Sequence, residues 1–90
     1  MSLHATVTSI TSLNTTSELK AASARTRGVA IYNNSTAILY LRFGAADATA
    51  TDFTVQLAAE AYYEVPFAYR GAIQGIWVTA NGAALVTDCY

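Results

Sequence analysis

The sequence predicts an all-β protein, an antiparallel β-sandwich of about 7–8 short strands that is jelly-roll-like. Three observations predict it. Apolar and polar residues alternate with a period of two, and the helical period of 3.6 is nearly absent. Turn residues recur roughly every 8–12 positions. The runs between these turns are rich in β-branched and aromatic residues, which favour strands.

The N-terminal quarter is the least regular part of the chain. We predict an N-terminal arm or first strand over residues 1–24 and the sandwich core over residues 25–90, within a single domain. Residues 4–10, HATVTSI, alternate weakly. Residues 18–25, ELKAASAR, are compatible with one helical turn or with a short strand, because their helix-favouring side chains span too few residues for a stable helix.

From Gly28 onward the strands and turns are distinct. The turn residues 33–36, NNST, predict that the apolar segment 27–45 is a hairpin. Asn81-Gly82 predicts a type I′ hairpin between the last two strands. Pro66 indicates that the strand over residues 62–67 is an edge strand or ends near the proline. Gly75, inside a strand, indicates a bulge or a close approach. The predicted strands cover residues 28–33, 37–43, 53–57, 62–67, 72–80 and 83–90.

Several predicted strands are apolar on both faces. In the strand 37–43 we expect Leu39, Leu41 and Phe43 to enter the core and the alternate residues to face outward. A sandwich needs only one apolar face per sheet, so a second apolar face suggests an interface with another subunit. A standard interface takes ~800 Å² per partner, a large share of the ~5,000 Å² surface expected for a chain of this size. The predicted subunit or capsid interface consists of Ile38, Tyr40, Arg42, Tyr62, Ile76 and Trp77.

Charge and hydropathy argue against several partners. The chain is 53% hydrophobic and 12% charged, with a net charge of −1 and no basic run, so no nucleic-acid partner is expected. No signal peptide and no apolar stretch long enough to span a membrane is recognisable, so we expect no membrane partner. The single cysteine, Cys89, cannot form an intramolecular disulfide.

The sequence contains no recognisable catalytic motif, so we predict a protein that is not an enzyme and that has no cofactor and no metal. Glu60 and Glu64 could in principle act as an acid–base pair. Asp47 and Asp52 flank a loop, but the alternating ligand pattern of calcium loops is absent. A sugar-stacking surface is the remaining possibility, and its candidate aromatic residues are Tyr32, Tyr62, Tyr63, Tyr69 and Trp77.

The order of strand and turn residues between positions 25 and 88 resembles that of small structural proteins of tailed bacteriophages. The first block is RGVAIYNNSTAILYLRFG and the second is TDFTVQLAAEAYYEVPFAYRGAIQGIW, followed by ANGAALVT. The matching positions of the first block are Arg27, Tyr32, Asn33, Ser35, Leu39, Tyr40, Leu41 and Gly44. Those of the second block are Tyr62, Tyr63, Glu64, Pro66, Gly71, Ile73, Gly75, Ile76 and Trp77.

This resemblance implies a virion component, and the size fits best a head decoration (cement) protein. Such a protein would form a homotrimer, bind the major capsid protein on the capsid surface and be assembled in the host cytoplasm. The alternative is a tail, fibre or baseplate domain that binds a host-surface glycan.

Overall fold

Eight antiparallel strands form two four-stranded sheets that pack face to face. The structure, a computed structural model, describes residues 4–66 and 69–90. The strands are β1 Ala5–Thr11, β2 Ser17–Lys20, β3 Gly28–Asn34, β4 Leu39–Phe43, β5 Val55–Leu57, β6 Tyr62–Val65, β7 Ile73–Trp77 and β8 Ala83–Cys89.

The strand order follows a nested pattern. The first sheet has the order β1-β8-β3-β6 and the second sheet has the order β2-β7-β4-β5. The first strand therefore pairs with the last, the second with the seventh, and so on inward, giving the pairs β1·β8, β2·β7, β3·β6 and β4·β5. A long antiparallel hairpin folded round itself would give the same pairing. The predicted antiparallel sandwich is confirmed. The jelly-roll topology stays a prediction, which the nested pairing favours.

The core lies between the inner faces of the two sheets. Ile31 of the first sheet and Leu39, Leu41, Ile73 and Trp77 of the second are almost completely buried. Leu39 and Leu41 thus lie in the core as predicted, and the partly buried Phe43 packs against it. The accessible surface of 4962 Å² agrees with the area expected from chain length.

Both predicted hairpins are wrong. Segment 27–45 contains β3 and β4, which lie in different sheets, so the chain crosses from one layer to the other at residues 35–38. The residues around Asn81-Gly82 likewise connect β7 of the second sheet to β8 of the first. Turn residues mark where the chain changes direction, but they do not determine whether the next strand pairs with the previous one or packs across the core from it.

The Asn81-Gly82 connection also differs in backbone conformation from a type I′ turn, which needs positive φ at both residues. Gly82 has φ 77°, whereas Glu60 is the only described non-glycine residue with a positive φ. A side chain at Gly82 would collide with the backbone oxygen of Asn34. The Asn81 side chain instead accepts a hydrogen bond from the backbone N–H of Thr36, at 2.9 Å.

The other local predictions can be compared with the strands directly. Residues 17–20 form strand β2 rather than a helical turn, with a register shift against β7. A Cβ at Gly75 would lie 2.7 Å from Leu19 Cδ1, so the glycine permits a close approach of these two strands. Strand β6 is an edge strand and ends at Val65, just before Pro66. Phe67, the last residue of the predicted strand, lies outside the described residues.

A buried asparagine connects the two sheets at one end of the core. Asn33, on the inner face of β3, has no exposed surface. Its amide nitrogen donates to the carbonyl oxygens of Ala37 (2.8 Å), Leu57 (3.2 Å) and Ala58 (3.0 Å), which belong to the ends of β5 and the residues before β4. Its amide oxygen accepts from Trp77 Nε1 at 3.2 Å. One side chain thus satisfies groups of β5, of β7 and of the residues that precede β4.

Because these partners are buried, we expect Asn33→Ala to lower the free energy of unfolding by about 3 kcal/mol, since each unsatisfied polar group costs about 1–3 kcal/mol. Urea denaturation measures this change as a lower midpoint with an unchanged slope. Asn34→Ala is the matched control, because Asn34 is the exposed neighbour on the same strand. A similar, small loss in both variants would show that the network does not stabilise the fold.

Candidate functional site

The six residues of the predicted interface do not form one surface. The outer side of the second sheet carries four of them: Ile38, Tyr40 and Arg42 of β4 and the residues before it, and Ile76 of β7. Tyr62 lies on the outer face of the first sheet, on β6. Trp77 points into the core between the two sheets.

The assignment of Trp77 to an interface is therefore wrong. Its side chain is 1% exposed, and its indole nitrogen donates to Asn33. Trp77 shares the inner face of β7 with Ile73, which is also buried. Both faces of this strand carry apolar residues, so the alternation alone does not distinguish the core face from the outer one.

The outer side of the second sheet is partly covered by the chain itself. The segment 44–54, between β4 and β5, makes contacts on this side. Arg42 Nη1 donates to the carbonyl oxygen of Asp47 (3.1 Å), and the rings of Tyr40 and Phe53 lie 4.7 Å apart. The N–H of Ala48 donates to Thr16 Oγ1, next to β2, so the segment passes across β7. These contacts account for the partial exposure of Tyr40 and Arg42. Ile38 and Ile76 on the same side are also only partly exposed.

The same segment contains the two aspartates considered for calcium. Arg42 Nη1 donates to Asp52 Oδ2 at 2.7 Å, and this guanidinium also binds the Asp47 carbonyl. The Arg42 cation therefore binds the loop that contains the two candidate calcium ligands. Within residues 4–66 and 69–90, no group of three or more His, Cys, Asp or Glu residues could hold a metal ion.

The outer face of the first sheet is less covered. Register pairs place Ser9, Leu85, Tyr32 and Tyr62 in one row across the sheet, and Val7, Thr87, Ala30 and Glu64 in the next. Val7 is 62% exposed and Tyr62 is 58% exposed. The sequence did not predict that Val7 is exposed. Both faces of the segment HATVTSI contain a small hydroxyl residue, Thr or Ser, so the alternation does not show which face points to solvent.

Strand β1 also presents an open edge. It is the terminal strand of its sheet, and no described strand pairs with its other side. His4 and Tyr90 exchange backbone hydrogen bonds of 2.7 and 2.8 Å, and such bonded pairs alternate along an antiparallel ladder. The backbone polar groups of Ala5, Val7, Ser9 and Thr11 therefore face the open edge. Strand β1 contains no charge and no proline, the usual devices that block strand addition.

The structure narrows the sugar-stacking surface to two tyrosines. Trp77 is buried, Tyr63 packs against the core, and the Tyr69 ring stacks on Phe43 with centroids 4.7 Å apart. Tyr32 and Tyr62 are register partners on the outer face of the first sheet. The acid–base candidates Glu60 and Glu64 are both exposed, and Glu64 accepts a hydrogen bond from the Tyr62 hydroxyl at 3.2 Å.

Tyr62 titrates above its usual range. Partial desolvation on the sheet raises the pKa of its hydroxyl, and the hydrogen bond to Glu64 and the negative charges of Glu64 and Cys89 raise this pKa further. The neutral phenol therefore persists at a pH where a free tyrosine is half ionised.

No protein family matches the chain, and neither a curated protein nor a solved structure matches it. The described part of the chain has no helix long and apolar enough to cross a membrane.

We expect Glu64→Gln to lower the pKa of Tyr62 toward the usual value of 10.0, because the carboxylate charge is lost while partial desolvation remains. A titration followed by the ¹³Cζ chemical shift of tyrosine measures this pKa. Glu60→Gln removes an equal charge from a residue that does not contact Tyr62, and it should leave the pKa unchanged. An unchanged pKa in Glu64→Gln would contradict the assigned hydrogen bond.

Proposed function

We propose that this chain is a non-enzymatic structural protein of a bacteriophage virion, a capsid decoration (cement) protein that stabilises the shell as a homotrimer. The sequence resemblance over residues 25–88 supports this proposal. The nested eight-stranded sandwich supports it as well, since jelly rolls of this strand count occur in viral capsid domains. On this proposal the protein lies on the capsid surface after assembly in the host cytoplasm, and its partners are itself and the major capsid protein.

The observation that carries the proposal is the open side of the first sheet. The exposed Val7 and the uncharged edge of β1 offer both apolar area and backbone hydrogen-bonding groups to a neighbour. Tyr62 adds exposed aromatic area at the opposite edge. An interface of standard size would cover ~800 Å² per partner, about one sixth of the 4962 Å² surface of the chain.

The proposed mechanism is passive bridging. Each subunit would contact neighbouring capsid proteins and oppose the outward pressure of packed DNA. A single contact of this kind is weak, but a trimer presents three copies at once. Multivalent attachment then raises the overall affinity without any new contact.

We expect sedimentation equilibrium at micromolar concentration to give three times the chain mass of 9.5 kDa. Val7→Lys should shift the equilibrium toward monomer by at least about tenfold, because it buries a charge in the proposed interface. Val78→Lys is a closely matched control, since Val78 is 57% exposed but follows β7 of the second sheet. A monomeric parent protein would refute the trimer, and equal effects of the two variants would refute the assignment to the first sheet.

The virion location needs a separate experiment. Immunogold electron microscopy of purified particles, with an antibody against this chain, should label the head shell at regular positions. Label confined to the tail, or no label, would overturn the decoration role even if the protein is a trimer.

Glycan binding remains the second candidate, favoured by the pairing of Tyr32 with Tyr62 on an exposed sheet face. Aromatic rings stack on the apolar faces of sugars, and Glu64 beside Tyr62 could accept hydrogen bonds from hydroxyl groups. A glycan array with the parent protein and Tyr62→Ala tests it. Binding that is lost in Tyr62→Ala but kept in Tyr40→Ala, on the other sheet, would support this function, and an array without binders would remove it.

A further inference from the structure

A cleft at one end of the sandwich concentrates most of the positive charge of the chain. The cleft has a volume of about 400 Å³ and is lined by His4, Ala24, Arg25, Arg27, Arg70 and Tyr90. The whole chain has five Lys and Arg residues, so three of the five line this one cleft. None of the described residues that line it is acidic.

Arg25 and Arg70, two of the three arginines of the cleft, are held in place by contacts with uncharged groups. Arg70 Nε donates to the backbone oxygen of Thr26 at 3.0 Å, which fixes the guanidinium through one of its donors. Arg25 Cζ lies 5.3 Å from the centre of the Tyr90 ring, within cation–π distance. That ring also stacks on His4, with centroids 5.8 Å apart, and its hydroxyl lies 3.0 Å from Thr6 Oγ1.

Asp88, two residues before Tyr90 of the cleft, binds groups outside the cleft lining. Thr26 Oγ1 donates to Asp88 Oδ1 at 3.0 Å, and Asp88 Oδ2 lies 3.9 Å from Lys20 Nζ. Lys20 is itself buried, and its ammonium group also donates to the Ala21 carbonyl. Asp88 therefore faces the interior lysine and the threonine rather than forming part of the cleft lining.

We propose that this cleft binds the carboxylates of an acidic protein segment. Guanidinium groups form forked, charge-assisted hydrogen bonds with carboxylates, and those bonds are stronger than neutral ones. A nucleic acid would fit less well, because a polynucleotide needs a track of cations along several phosphates. The two remaining cations do not extend the cleft into such a track, since Lys20 is buried near Asp88 and Arg42 pairs with Asp52 on the second sheet.

The direct test measures binding of a fluorescein-labelled hexaglutamate peptide by anisotropy at low and at physiological salt. We expect saturable binding that weakens as salt rises, because exposed charges are screened. A neutral Gly-Ser peptide of the same length should not bind. A single-stranded hexanucleotide should bind no more tightly than the glutamate peptide.

Arg25→Gln should weaken peptide binding by roughly tenfold, the change expected for the loss of one charge-assisted hydrogen bond. Arg70→Gln should have a similar effect, and circular dichroism will show whether it remains folded without the contact to Thr26. If it unfolds, Arg25→Gln still decides, because the Arg25 side chain contacts the exposed side of the fold at the Tyr90 ring and donates no hydrogen bond to a described residue. Arg42→Gln removes one positive charge outside the cleft and is the matched control.

Three results would overturn the proposal. The first is no binding of hexaglutamate at millimolar concentration. The second is an equal loss in Arg25→Gln and Arg42→Gln, which would indicate a general charge effect rather than a site. The third is tighter binding of the hexanucleotide, which would identify a phosphate ligand instead. The proposal concerns the free chain and does not depend on its oligomeric state or on the role in a virion.

Discussion

The hydrogen bonds of Asn33 are the constraint on which one end of the sandwich depends. A side-chain amide offers two donor hydrogens and one acceptor oxygen, and all of them are used in a fully buried position. Its partners belong to β5 and β7 of the opposite sheet and to the crossing segment itself, so the amide fixes the spacing of the sheets and the course of the crossing at residues 35–38. Ser35 adds to this constraint, since its hydroxyl donates to Asn33 Oδ1 at 2.7 Å. Hydrophobic burial alone would hold the layers together but would leave their register free to slide.

The many apolar residues of the sequence lie in several different environments. Part of it is the core, where Leu39 and Leu41 are completely buried. Another part is the contact between Tyr40 and Phe53, where the segment 44–54 folds back over the second sheet. Only the remainder, including Val7 and Tyr62, is strongly exposed. A strand that is apolar on both faces therefore does not by itself identify a subunit interface, because a loop of the same chain can cover its outer face.

Local chemistry predicted the strands well and their arrangement less well. The alternation around Leu39 and Leu41, the strand end before Pro66 and the close approach at Gly75 follow from side-chain period, proline geometry and the missing Cβ. The crossings between sheets at residues 35–38 and at Asn81-Gly82 do not, because Asn and Gly permit a bend without specifying the partner of the next strand. The buried role of Asn33 and the clustering of Arg25 with Arg70 depend on contacts between residues about 45 positions apart, which no local pattern contains.

The open edge of β1 and the arginine cleft share a corner of the molecule. His4 lines the cleft and directly precedes β1. Its backbone pairs with that of Tyr90, and the Tyr90 ring makes a cation–π contact with Arg25. A partner strand added along β1 would therefore end beside three arginines. Backbone hydrogen bonds along the edge give little sequence preference, whereas the cleft favours carboxylates at one end of the added segment. Together, the two features would select both the conformation of a partner segment and its charge, and linking two weak contacts in one segment raises the affinity above that of either contact alone.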